Sequence, residues 1–313
     1  MPHHQDSIGV TGQRCLVLGG SGFIGMNLCK ALATAGAYVR GFSTRPTSLQ
    51  DVEWIAGDFT DASALERAVV NMDVVYHLIS TSTPLSSNAD PAMDAQQNIV
   101  STLNLLDACR MAKVKRVVFV SSGGTLYGDA AILPTPETCP PAPRCAYGVS
   151  KLAIEMYLAL YERLYGLESI TLRVANPYGP YQFANRLQGV IGAFVNRTLS
   201  GETIQIWGDG SVVRDYIYID DVVSALIKAA SYTGTKRVFN IGSGKGSSLL
   251  QITESLAKAF GHPLEVRFEK GRSVDIPVSV LDSTLACIEL DWRPAFDLDA
   301  GLYETVKWFT SLR

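Results

Sequence analysis

Tyr147 and Lys151 stand four residues apart in Tyr147-Gly148-Val149-Ser150-Lys151. On a helix that spacing sets both side chains on one face. An ammonium beside a phenol favours the phenolate, so the pair reads as a general base with a pKa drawn down from about 10. The spacing is common in unrelated chains, and its weight here comes from a second motif. Gly19-Gly20-Ser21-Gly22-Phe23-Ile24-Gly25 follows a short apolar run and opens a helical pattern. Glycines at 19, 22 and 25 permit a tight turn, close approach to a pyrophosphate and close packing of helix on strand. The helix N-terminus adds unpaired N–H groups and partial positive charge.

An acidic residue about 20 positions beyond such a loop ordinarily binds an adenosine ribose. Ser43 fills that slot and cannot repel a 2′-phosphate, while Arg45 offers a charge to pair with one. NADP is therefore open alongside NAD. Asp58, in Gly57-Asp58-Phe59, either meets the adenine amino group or serves as an acid near a helix start. His77 lies in an apolar strand and reads as a hydrogen-bonded core residue rather than a base. The 6 cysteines form no Cys-x-x-Cys pair and there are only 4 histidines, so no metal site is expected and the thiols read as reduced.

The elements that must hold these residues alternate. Strand-like runs at 14–18, 37–42, 73–79, 116–121 and 169–175 are separated by helical spacing over 23–35, 62–70, 94–112 and 147–165. The strands are apolar on both faces, which predicts an α/β fold with a doubly wound parallel sheet. From Asn176 the chain becomes richer in Gly and Pro. A dinucleotide-binding domain is expected over 1–175, with a return at about 214–243 that includes a helix at 220–230 and a strand at 238–241. A smaller, discontinuous α/β lobe is expected over 176–313. Hydrophobic residues at 47% and charged ones at 18% supply a packed core. With 27 basic and 30 acidic residues there is no bulk basic surface for nucleic acid. No apolar run reaches the roughly 18 residues of a membrane span, and the N-terminal residues lack the basic and apolar regions of a secretory signal. A soluble cytoplasmic protein, without membrane or nucleic-acid partners, is the expectation.

Together the motifs resemble the extended short-chain dehydrogenase/reductase family, in particular its nucleotide-sugar epimerase and dehydratase branch. The matching segments are GGSGFIG (19–25), GDF (57–59), VVYHLIS (74–80), Asn98, SSGGTLYG (121–128), YGVSK (147–151), RVANPYGP (173–180) and GDGSVVRDYIYIDD (208–221). The resemblance implies a Rossmann fold with a nicotinamide cofactor, NAD in the epimerases. Its contacts would be Gly19, Gly22, Phe23, Ile24, Gly25, Ser43, Arg45, Asp58, Phe59, Leu78, Ser80, Asn98, Ser121, Tyr147 and Lys151. It makes Tyr147 the base and Lys151 its electrostatic partner and ribose anchor. The slot that usually carries a catalytic Ser or Thr, five positions before Gly128, holds Gly123. The hydroxyl then falls to Thr125 or Ser122, with Thr125 expected to matter more. Gly124-Thr125 replaces the Asp-Glu pair of the resembling 4,6-dehydratases, which disfavours dehydration.

By the same resemblance Asn176 and Arg214 hold a substrate diphosphate, and Gln205 and Trp207 flank a uracil. Arg272 and Asp275 reach a second phosphate contact and a ribose, or else form a surface ion pair. Ser279, seven positions after Arg272, would abut the C2 substituent of the sugar and leave room for an N-acetyl group. The expected activity is a nucleotide-sugar 4-epimerase inverting C4 of a UDP-hexose or UDP-N-acetylhexosamine through a transient 4-keto sugar. A homodimer packed through the helices near 94–112 and 147–165 is implied as well. The alternatives are an NADPH-dependent 4-keto-sugar reductase, supported by Ser43 and Arg45, and a non-catalytic cofactor-sensing protein, supported by Gly123 alone. Neither a G-x-S-x-G elbow nor a Walker A loop is present.

Overall fold

Strands that are apolar on both faces need a helix layer on each side. The computed structural model describes residues 9–183, 189–270 and 276–313. The first half runs β1 (Arg14–Leu18), α1 (Phe23–Thr34), β2 (Tyr38–Ser43), β3 (Val52–Ala56), α2 (Ala62–Val69), β4 (Val74–His77), α3 (Pro91–Ala95), α4 (Ser101–Met111), β5 (Arg116–Ser122), α5 (Gly123–Leu126), α6 (Ala146–Tyr165) and β6 (Glu168–Val174). The second half adds β7 (Asn176–Tyr178), α7 (Val190–Leu199), β8 (Ile204–Trp207), β9 (Val213–Tyr218), α8 (Ile219–Ser231) and β10 (Val238–Ile241). It closes with β11 (Gly246–Ser248), α9 (Leu249–Phe260), β12 (Val266–Glu269), β13 (Val278–Ser279), α10 (Thr284–Glu289) and α11 (Leu298–Ser311).

Seven strands form one parallel sheet in the order β10-β6-β5-β4-β1-β2-β3. This is a doubly wound Rossmann sheet, and its order reverses between β1 and β4. Ligands bind outside the strand ends at such a reversal. Successive residues of a strand enter opposite layers. Cys15 and Val17 accordingly join a core with Leu28, Leu32 and Leu226 of α1 and α8, while Leu16 and Leu18 join one with Leu65, Leu105 and Ile154 of α2, α4 and α6.

The second half hangs on β9, which pairs with β7, β11 and β13; β8 and β12 form a separate pair. One expected helix differs. The stretch 94–112 is α3, then a π-turn at Gln96–Val100, then α4. A π-turn widens the backbone by one residue without reversing the apolar face, so residue periodicity does not reveal it. Among the described residues no helix is long and apolar enough to cross a membrane.

Candidate active site

β1 delivers the chain into Gly19, where a φ of +81° and an N–H bonded to the Phe42 carbonyl at 2.9 Å turn it over the end of β2. Gly22 caps α1 without a side-chain hydrogen bond, and the first turn holds no acidic residue. The leading N–H groups of this helix are thus left for an anion. A Cβ on Gly25 would lie 2.1 Å from the Gly19 carbonyl oxygen, so the loop closes only on glycine. Ser43 ends β2 with its hydroxyl buried and without a protein partner. A phosphate cradle and an unpartnered hydroxyl one strand away fit a dinucleotide.

The other expected cofactor contacts divide. Phe23 and Ile24 open α1 half-buried, and Arg45 is exposed beyond Ser43. One oxygen of Asp58 accepts the Thr60 N–H at 2.8 Å and the Thr60 hydroxyl at 2.7 Å, which hold its carboxyl below the usual range. Phe59 is buried in the core with its ring 5.0 Å from that of His77. Leu78 extends from β4 with its N–H on the Leu18 carbonyl, and Ser80 donates to the Ser82 carbonyl at 3.1 Å. Asn98 is buried in the π-turn, accepting the Thr81 N–H at 3.0 Å.

α6 carries Tyr147 and Lys151 against the end of β5. Lys151 is 4% exposed and donates to the Val120 carbonyl at 2.9 Å, its Nζ 5.7 Å from the Tyr147 ring centre. Burial pushes its pKa down to about 8, against the opposing charges of Glu155 and Asp94. Burial also pushes Tyr147 up to about 12, resisted by the nearby Ser122 hydroxyl. This corrects the expectation of a lowered phenol: desolvating the phenolate outweighs what the protein's own groups return.

The hydroxyl beside Tyr147 is that of Ser122. Thr125 Oγ1 is buried without a protein partner. Gly123 has a steric reason: a Cβ there would lie 2.4 Å from Leu281 Cδ1 and 3.1 Å from the Arg173 carbonyl oxygen.

Sequence reasoning missed the buried acids around this pair. Ser121 donates to Glu155 at 2.5 Å, and Arg173 grips the same carboxylate through Nη2 at 2.7 Å. Arg173 also donates to the Tyr127 hydroxyl at 2.8 Å, which donates to Asn240 at 2.7 Å. Glu155 lies four residues beyond Lys151, a spacing that could have flagged it. His77 is 1% exposed, 2.9 Å from the Thr102 hydroxyl, and burial pushes its pKa well below the usual value; it is a neutral core residue. Among the described residues no cluster of three or more His, Cys, Asp or Glu could hold a metal ion.

Beyond the turn at Ser122 lies a pocket of about 350 Å³, lined by Asn176, Gln205, Trp207 and Arg214 together with Gln182, Val190, Phe194 and Tyr216, which the sequence had not singled out. The N-terminus of α7, capped by Gly189 without a side-chain bond, opens onto it. Asn176 donates to the Asp215 carbonyl at 2.9 Å, and a Cβ on Gly124 would sit 3.8 Å from its Oδ1, so the pocket adjoins the catalytic turn. Arg214 donates to the Ile276 carbonyl at 2.6 Å and pairs in register with Ser279 across β9 and β13. Arg272 and Asp275 lie outside the described residues.

Comparison with known proteins agrees with this geometry. The model of the NAD dependent epimerase/dehydratase family matches residues 15–242. The chain is 37% identical over 307 residues to a UDP-glucose 4-epimerase of Mycolicibacterium smegmatis, covering 95% of this chain and 98% of that one. It superposes with a TM-score of 0.91 and 36% identity on a UDP-glucose 4-epimerase from Thermotoga maritima solved with UDP-glucose, over 96% of this chain and 99% of the other. A UDP-N-acetylglucosamine 4-epimerase from Methanobrevibacter ruminantium, in complex with UDP-N-acetylmuramic acid, gives 0.90 and 30%, over 97% and 100%. The glycine cradle, the Tyr147–Lys151 helix and these matches along nearly the whole length lead to one assignment: the chain is an enzyme of the NAD-dependent epimerase/dehydratase family.

Proposed function

We propose that this enzyme is a nucleotide-sugar 4-epimerase acting on UDP-hexoses, N-acetylated ones included. The observation that carries the reading is the Tyr147–Lys151 pair, Lys151 buried and Tyr147 half-buried near the Ser122 hydroxyl, adjoining a pocket that holds Asn176 and Arg214. Gly19, Gly22, Gly25 and Ser43 would hold the cofactor. When bound, NAD supplies a hydride acceptor and then donor, together with a positive ring in its oxidised form.

Tyr147 Oη takes the C4 hydroxyl proton as C4 loses hydride, and returns it to the same oxygen when hydride is restored on the opposite face of C4. Ser122 donates to the developing phenolate, lowering its cost. Lys151 keeps a positive charge near the Tyr147 ring, and its bond to the Val120 carbonyl fixes it there. Arg214 and Asn176 grip the diphosphate while the 4-keto sugar turns, since a charge-assisted guanidinium suits that load. Internal redox of this kind needs no external reductant.

Ser279 is half-buried and in register with Arg214, which supports a role for this small side chain at the C2 substituent of the sugar. Outward-facing Met111 on α4 and Met156 on α6, both about two-thirds or more exposed, support a homodimer through these helices. The test incubates purified enzyme with UDP-, GDP- and dTDP-hexoses and reads products by NMR. Interconversion of both UDP-glucose with UDP-galactose and their N-acetyl counterparts is expected, and Ser279→Tyr should retain only the first. Consumption of NADPH by a 4-keto sugar, with no epimer formed, would replace this reading with a reductase.

A further inference from the structure

We propose that Asp94 is a positioning residue of the Tyr147–Lys151 pair, tying the catalytic helix α6 to the segment after β4 and setting a fixed negative charge beside the pair. The proposal rests on the reading of Tyr147 as base and Lys151 as its partner, and deepens it.

Asp94 is 3% exposed and lies in α3. Its Oδ2 accepts the Ser150 hydroxyl at 2.5 Å, and Ser150 immediately precedes Lys151 on α6. Its Oδ1 accepts the Ser82 hydroxyl and the Asn98 amide, the latter at 3.2 Å. Asn98 passes the restraint on by accepting the Thr81 N–H, so residues 81 and 82 are tied to one corner. Asn98 also sits in the π-turn, a feature that recurs at functional sites. Asp90, four residues earlier, does the ordinary work of an acid at a helix start, accepting the Met93 N–H at 2.9 Å. The Asp94 carboxylate instead gathers side chains from three separate segments.

The charged and titratable groups facing this corner are Lys151, Tyr147 and Glu155 on α6, Cys145 just before it, His77 on β4 and Arg173 on β6. His77 is kept neutral by burial, and Glu155 shares its charge with Arg173 at 2.7 Å. Asp94 reaches the pair through Ser150, and its charge adds to the influences that raise the pKa of Lys151, after Glu155, and of Tyr147, after burial and Cys145. Removing it lowers both.

The test uses the NAD-loaded enzyme. Asp94→Asn keeps the shape and loses the charge, and both limbs of its pH profile of kcat/KM should move to lower pH. Ser150→Ala keeps the charge and cuts the tether, so it should lose about 10- to 100-fold in kcat with KM and both limbs unmoved. Limbs that superimpose on the wild type in Asp94→Asn, or wild-type kcat in Ser150→Ala, overturn the proposal. If Asp94→Asn does not fold, Ser150→Ala and Ser82→Ala decide it: losses in kcat at constant KM uphold it, and wild-type kcat in both overturns it. Tyr147→Phe separates the two levels. Wild-type turnover there defeats the base reading itself, whereas an inactive Tyr147→Phe enzyme with unmoved Asp94→Asn limbs defeats only the role of Asp94.

Discussion

Placing serine at Gly123 would restore a hydroxyl where the resembling enzymes carry one, and the packing says what that costs. The new Cβ would lie 2.4 Å from Leu281 Cδ1, 3.0 Å from Cδ2 and 3.1 Å from the Arg173 carbonyl oxygen. Carbon atoms pack best at about 3.5–4.0 Å, so the overlap is on the order of 1 Å. Leu281 is 1% exposed and its N–H is engaged by Asp215 at 3.2 Å, so the side chain must yield inside a filled core. Overpacking of this kind costs about 1–3 kcal/mol, and replacing a helical glycine returns about 0.5–1 kcal/mol. The net expectation for Gly123→Ser is a loss of about 1–2 kcal/mol. Leu281→Ala alone opens a cavity at about 2–5 kcal/mol. The double variant should lose less than the two singles together, because the serine enters the vacated space and the clash disappears. Equilibrium urea unfolding of the three variants measures the coupling. Strict additivity, or a Gly123→Ser protein as stable as the wild type, would refute the claim that Leu281 occupies the missing side chain's place.

The two hydroxyls near Tyr147 should behave differently. Ser122→Ala is expected to lower kcat by about 10- to 100-fold, the worth of a hydrogen bond to a charged group, while Thr125→Val, which removes an unpartnered oxygen, should leave kcat close to wild type. Steady-state kinetics checks both, and a larger loss in Thr125→Val would return the role to that residue. Gly25→Ala sets a methyl 2.1 Å from the Gly19 carbonyl oxygen, so the purified variant should carry little nicotinamide nucleotide. Chromatography of the nucleotide released on denaturation measures this; wild-type loading would mean that the loop tolerates a side chain.

The central sheet was legible because its strands are buried on both faces, which leaves near-continuous apolar runs such as Cys15-Leu16-Val17-Leu18. β10 was legible for the same reason, as Val238-Phe239-Asn240-Ile241. The two- and three-residue strands β7, β11 and β13 were not, since pairing with β9, rather than any pattern of their own, defines them. Glycine and Tyr–Lys spacings pointed to the cradle and the helix because backbone sterics and helical geometry act locally. Glu155 and Asp94 carried no such mark. A lone acid on an amphipathic helix reads as a solvated charge, and only the fold brings Arg173 and Ser82 to them. The pKa of Tyr147 was misjudged for a related reason, since spacing reports neighbours but not burial.

Internal redox at C4 with Tyr147 as base leaves an isotopic signature. The direct measurement follows UDP-glucose deuterated at C4 through reaction with the purified enzyme, without added cofactor, by NMR. UDP-galactose with the deuterium retained at C4 is expected, and none formed by Tyr147→Phe. Loss of the label to solvent, or product that forms only with added NADPH, would contradict internal redox.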